Sequence, residues 1–177
     1  ERHVGRGGPA HQRREIVGID GHRNRPRDQA GNAGRFGVGM SRIGVDAKET
    51  ASVLEALGDV LRVAGEYGKA GAAYGNARRM VEGEPIREAR LLLKRSRIEE
   101  KLGRYPQALG WITRARRVLK GVSEEEAATD TAQLMAWHAT IRQAQGRSQD
   151  AIRLARLAAS QAEAAGDREA LARAYNI

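Results

Sequence analysis

Beyond the first quarter of the chain, apolar residues recur at spacings of three and four, the mark of helices that bury one face. Leu54, Leu57, Leu61 and Ala64 share a face of one predicted helix, and Ala70, Tyr74 and Ala77 share a face of the next. Between them lies Gly65-Glu66-Tyr67-Gly68, a break with two glycines. Small residues stand where the two rods must approach: Gly58 on the first, Ala70 and Ala77 on the second. Leu57, Leu61 and Tyr74 are expected to fill the space between. The stretch predicts a helical hairpin.

The hairpin returns. Gly65-Glu-Tyr-Gly-Lys-Ala70 becomes Gly103-Arg-Tyr-Pro-Gln-Ala108 and then Gly146-Arg-Ser-Gln-Asp-Ala151, at intervals of 38 and 43 residues. Seven residues past each of those alanines stands another, Ala77, Ala115 and Ala158, with Tyr74, Ile112 and Ala155 between. The position heading each first helix is Leu54, Leu92 and Met135; the small position is Gly58, Ser96 and Ala139. Such self-similarity is what helical-hairpin arrays show, because one hairpin cannot bury its apolar face alone.

Start and stop signals divide the rest. Asp46-Ala-Lys-Glu49 has the form of a capping box, so order is expected from Asp46, with the first helix reaching about Ala64. Its partner starts after Gly68 and fades near Gly83. Pro85 and Pro106 suit first turns, where a missing N–H costs nothing. Ser123-Glu-Glu-Glu126 is a second capping box with acids at the positive end of a helix that reaches about Gln145. A sixth helix runs from near Ser148 to Ala165, and Ala172-Arg-Ala-Tyr-Asn-Ile177 reads as a fourth copy cut short. No strand pattern is visible.

These residues resemble the tetratricopeptide repeat (TPR) family. The first copy carries the resemblance through Leu54, Leu57, Gly58, Leu61, Ala70, Tyr74 and Ala77. The second has Arg95-Ser96 where the family has Leu-Gly; the third has His138-Ala139 there and Ala155 in place of the aromatic. The resemblance implies an all-α, TPR-like α-hairpin solenoid of about three repeats over residues 46–177, followed by the truncated fourth. It implies a fold and no particular reaction. Phrases such as Leu102-Gly-Arg-Tyr-Pro-Gln-Ala108 are also similar to helical C-terminal tails of large bacterial signalling proteins. The alternative function is therefore a regulatory fragment of an ATPase or of an adenylate or guanylate cyclase whose catalytic domains lie elsewhere. Glu1 in place of methionine and the stop at Ile177 read as a fragment of a longer polypeptide.

Composition adds limits. A length of 177 residues leaves room for one domain, and aromatics are only 4%, so alanine faces must do the packing. There is no cysteine, which rules out a disulfide framework and a thiolate metal site and agrees with a reducing cytoplasm. No apolar run is long enough to span a bilayer, and no membrane partner is expected. Of the net charge of +9, about five units lie before Asp46, so the helical part is only mildly basic.

Residues 1–45 are dense in Gly and Arg without periodicity, a composition that does not offset the entropy of ordering. They read first as a disordered basic segment. Two other readings stay open: a wrong-frame translation ahead of a start at Met40, and a nucleic-acid-binding arm. The arm has Gly5-Arg-Gly-Gly8 and scattered arginines but only Phe36 for stacking, which argues against nucleic acid as the partner.

The search for chemistry ends without a site. Gly34-Arg-Phe-Gly-Val-Gly-Met40-Ser41 has the glycine spacing of a phosphate loop, but Met40 replaces its lysine and no strand precedes it. His3, His11 and His22 lack ligand spacing, His138 has no second ligand one turn away, and Glu99-Glu100 reads as solvated. No catalytic, cofactor-binding or metal-binding residue is assigned, and no enzyme is expected.

One surface feature points to a partner. Arg90, Lys94, Arg97 and Lys101 follow at four, three and four residues, a basic stripe on the first helix of the second hairpin. By the resemblance, first helices line the concave groove, and Arg90 and Lys94 stand where TPR grooves hold a partner's carboxylates. The asparagines of that clamp are missing, with Glu55 and Asp59 in the first hairpin instead. The expected function is a protein–protein interaction scaffold that takes an acidic protein or peptide segment, with Trp137 as an aromatic anchor. The competing reading is a solvated face paired internally through Glu99 and Glu100.

Overall fold

The computed structural model describes residues 46–177; the expectations for residues 1–45, including the Gly34–Ser41 loop and three of the histidines, lie outside the described residues. Among the described residues there are seven helices and no strand. They are α1 (Ala47–Val63), α2 (Tyr67–Arg79), α3 (Pro85–Lys101), α4 (Tyr105–Leu119), α5 (Glu124–Ala144), α6 (Ser148–Ala165) and α7 (Arg168–Tyr175). α1 packs with α2, α3 with α4 and α5 with α6; each following first helix then docks on the second helix before it. The fold is an all-α hairpin solenoid. No helix of the described residues is long and apolar enough to cross a membrane.

The recurring glycine has a backbone cause. Gly65, Gly103 and Gly146 adopt φ of 77°, 69° and 72°, a left-handed conformation that a Cβ disfavours. In each turn the next amide donates five residues back: Glu66 to the Leu61 carbonyl (2.9 Å), Arg104 to Glu99 (2.8 Å) and Arg147 to Arg142 (2.9 Å). Carbonyls left open at the helix end are thereby satisfied. The same turn is built a fourth time at Gly166, with φ of 67° and Asp167 donating to the Ala162 carbonyl at 2.9 Å.

Helix starts follow the signals unevenly. Ser123 caps its helix through its hydroxyl: Oγ accepts from the Glu126 N–H at 3.3 Å and donates to the Glu126 carboxylate at 2.9 Å. Asp46 makes no such side-chain cap, so the first box expected from the sequence is not formed. α2 begins at Tyr67, ahead of Gly68, and Pro106 is the second residue of α4 rather than its first.

The alanines pack as expected. Ala70, Ala77, Ala108, Ala115, Ala151 and Ala158 are fully buried, as are the small residues Ser96 and Ala139. Gly58 is buried beneath Tyr74, where an added Cβ would lie 2.6 Å from the ring's Cδ1. Leu57 and Ala64 are corrections: both are exposed, while Leu54 and Gly58 are buried and the half-buried Leu61 packs against the same cluster as Ala70, Tyr74 and Ala77. Tyr74 already fills the gap above Gly58, and Leu57 lies a quarter turn round the helix, on the side away from α2. Glu99 and Glu100 are a further correction: their side chains are mostly buried, at 3.7 Å from Arg104 and Lys101 respectively.

Among the first helices, α3 packs with α5 and α5 with α7, α1 and α3 are bridged by side chains, and no comparable contact joins α2 to α4 or α4 to α6. Rods that converge on one side and spread on the other make a curved stack. The first helices form its inner face.

Candidate binding face

Arg90, Lys94, Arg97 and Lys101 share the inner edge of α3, because steps of three and four bring side chains to one face. Arg87 extends the stripe by one turn: it donates to Ser52 Oγ at 2.7 Å and approaches Glu55 at 3.9 Å. The stripe is stitched to its neighbours on both sides. Toward α1, Lys94 Nζ reaches Asp59 at 2.6 Å and Glu55 at 2.8 Å. Toward α5, Arg90 grips Asp130 with two bonds of 2.7 and 3.1 Å.

Asp130 is buried while Arg90 stays largely open to solvent, so the pair is anchored at one end. Its hydrogen bond holds the Arg90 guanidinium above the usual arginine range. Asp59 accepts a second bond from the Tyr74 hydroxyl at 2.8 Å. Burial alone would raise the Asp59 carboxyl, but the hydrogen bonds from Lys94 and Tyr74 outweigh it and hold it below the usual carboxylate value.

Trp137 occupies on α5 the position that Lys94 takes one repeat earlier. The Arg97 guanidinium lies 4.6 Å from its ring centre and that of Arg173, from α7, lies at 4.0 Å. Trp137 is therefore mostly buried in cation–π contacts, each worth ~0.5–2 kcal/mol. Glu169 approaches the two arginines at 3.8 and 3.5 Å, and it is itself exposed. Burial pushes the Arg97 guanidinium below its usual range, with nearby Arg173 adding to the shift against the opposing pull of Glu169. Arg97 Nε and the Trp137 indole N–H are buried without a hydrogen-bond partner.

Lys101 stands at the exposed end of the stripe, 3.7 Å from Glu100. The five residues expected from the sequence thus lie along one face, and Arg97 with Trp137 come into contact. Lys94 is turned into the Glu55–Asp59 pair, which occupies its charge. Sequence reasoning missed Arg87, Asp130, Glu169 and Arg173. Arg87 was available, one step of three before Arg90; Asp130 was the lone acid in the alanine-rich part of its helix, seven residues before Trp137. Among the described residues no group of three or more His, Asp or Glu is arranged to hold a metal ion.

An α-hairpin solenoid with a charged inner face is the class of protein that the fold and this surface define. No family model matches the chain, and no curated protein matches it.

Proposed function

We propose that the chain is a TPR-type scaffold that binds an acidic segment of a partner protein along the inner face of α3, α5 and α7. The observation that carries this reading is the Arg97–Trp137–Arg173 stack. Two guanidiniums meet there with one exposed carboxylate between them, and buried donors on Arg97 and Trp137 have no acceptor. A partner carboxylate at this point would offset the unfavourable burial of Arg97 and add a charge-assisted hydrogen bond. Lys101 and Arg90 would extend the contact along the stripe. No reaction is assigned to these residues.

The test is titration with a Glu-rich peptide, followed by Trp137 fluorescence in a Trp111→Phe background. Saturable binding is expected, weakened tenfold or more by Arg97→Gln with Lys101→Glu in a variant shown to be folded by circular dichroism. Affinity unchanged by that double substitution would sink the reading. Arg90→Glu is a poorer probe, because it would leave Asp130 buried against a like charge.

A further inference from the structure

Arg78 and Arg116 stand at matching positions, each thirteen residues past its turn glycine. Glu88 and Thr131 also match, each fifteen residues before the next turn glycine. Where α2 meets α3 the arginine and the acid are joined, with Arg78 Nη1 at 2.7 Å from the Glu88 carboxylate. Where α4 meets α5 a threonine hydroxyl replaces that carboxylate. Arg116 and Thr131 both line a cleft there of about 550 Å³.

The rest of the lining changes in the same sense. Arg117 matches Arg79, and Lys120 stands where the earlier junction has Glu82. Positions that balance at the first junction, two arginines against two glutamates, carry three cations and no acid at the second. Arg116 and Arg117 lie four and three residues before Lys120, so the three share one face at the end of α4. Among the described residues no ion pair or side-chain hydrogen bond engages them or Thr131. By the same count α5 begins about one turn earlier than α3, and the added turn walls the cleft. It contributes Glu124, the one acid of the lining, and Ala127, which with Leu119 gives a buried apolar floor.

We infer that this cleft binds an organic phosphate monoester, its phosphate taking the place that the Glu88 carboxylate holds one copy earlier. Three cations against Glu124 leave an excess of two positive charges. A phosphate monoester brings about −2 at neutral pH, so the two match. Guanidiniums grip phosphate through paired N–H donors, in bonds stronger than those to a neutral acceptor, and the Thr131 hydroxyl adds one more donor. A single carboxylate would bring less charge and fewer oxygens. The cleft is larger than a phosphate group, and the apolar floor takes the carbon body of the ester. Its cations are solvated before the ligand arrives, so dissociation falls in the sub-millimolar to millimolar range.

NMR of the ¹⁵N-labelled full chain, titrated with phenyl phosphate, tests this. Saturable shifts are expected at the Thr131 and Val122 amides, weaker with inorganic phosphate and absent with phenol. Arg116→Gln combined with Lys120→Gln should weaken binding tenfold or more. Thr131→Glu, which returns the carboxylate of the first junction, should abolish it, with circular dichroism confirming that both variants stay helical. Binding unchanged in either variant would overturn the inference, as would shifts confined to residues 1–45 or no shifts at tens of millimolar ligand. Inorganic phosphate binding as tightly as the ester would overturn the assignment of the floor.

Discussion

In the first hairpin a tyrosine ring lies on a glycine; at the matching positions of the third stand two buried alanines, Ala155 and Ala139. The second hairpin stands between, with Ile112 buried near Ser96, whose hydroxyl donates to the Ala108 carbonyl at 2.9 Å. One register thus has two solutions. The first hairpin fills the gap with a bulky group whose hydroxyl is tied to Asp59 and, through it, to Lys94 of the next repeat. The third closes the gap by approach, with Ala132, Ala136, Ala158 and Ala162 forming one small-residue cluster with α7. The comparison teaches that pair geometry, rather than any one side chain, is what the repeat maintains. A ring over a hole depends on both members, whereas alanine on alanine tolerates the loss of either.

The largest expected effect is therefore at the ring. Tyr74→Ala should cost about 3–5 kcal/mol of stability, the usual range for emptying a buried aromatic site, read from urea unfolding. A cost below about 1 kcal/mol would mean that the first hairpin closes by approach too, and the contrast would fail. Next is the hole: Gly58→Ala should cost about 1–3 kcal/mol because the methyl meets the ring. Pairing it with Tyr74→Leu should recover much of that loss, while Ala139→Gly in the third hairpin should cost only about 1 kcal/mol, the helix-propensity difference.

The smallest effect is a pH dependence confined to the third hairpin. His138 stands where the first hairpin has the exposed Leu57. Burial lowers its pKa from the ordinary 6.5, with Arg142 of its own helix and Arg116 of α4 acting in the same direction and Asp150 of α6 against them. The unfolded chain then takes up the proton first, so the contribution of a neutral His138 is fully present above about pH 6.5 and is lost as pH falls toward the lowered folded value. Thermal melts at pH 7.5 and 5.5 should show a small drop that His138→Leu reduces. An equal drop in both proteins would place the dependence elsewhere.

Much of this molecule was legible from residue spacing. The glycines at positive φ and the alanines seven apart are local requirements of a tight turn and a close crossing, so they show in the text of the chain. The exposed Leu57 was not legible: α1 has two apolar sides, and a list of positions three and four apart cannot say which one meets α2. Nor could spacing pair the inner charges. It put Arg90, Lys94, Arg97 and Lys101 on one face, but which carboxylate each meets depends on a neighbouring helix tens of residues away, as Arg90 with Asp130 shows. Glu99 and Glu100 misled for a related reason: adjacent carboxylates read as solvent-facing until the following turn folds Arg104 back over them.

The turns at Gly65, Gly103 and Gly146 carry a mechanical consequence. Each is closed by hydrogen bonds spanning only a few residues, and each pair of rods touches little beyond the next pair. Stretched between its two termini, such a chain has no single clamp whose rupture releases everything. Extension would come in steps, one pair of rods at a time, with the untouched remainder still wound.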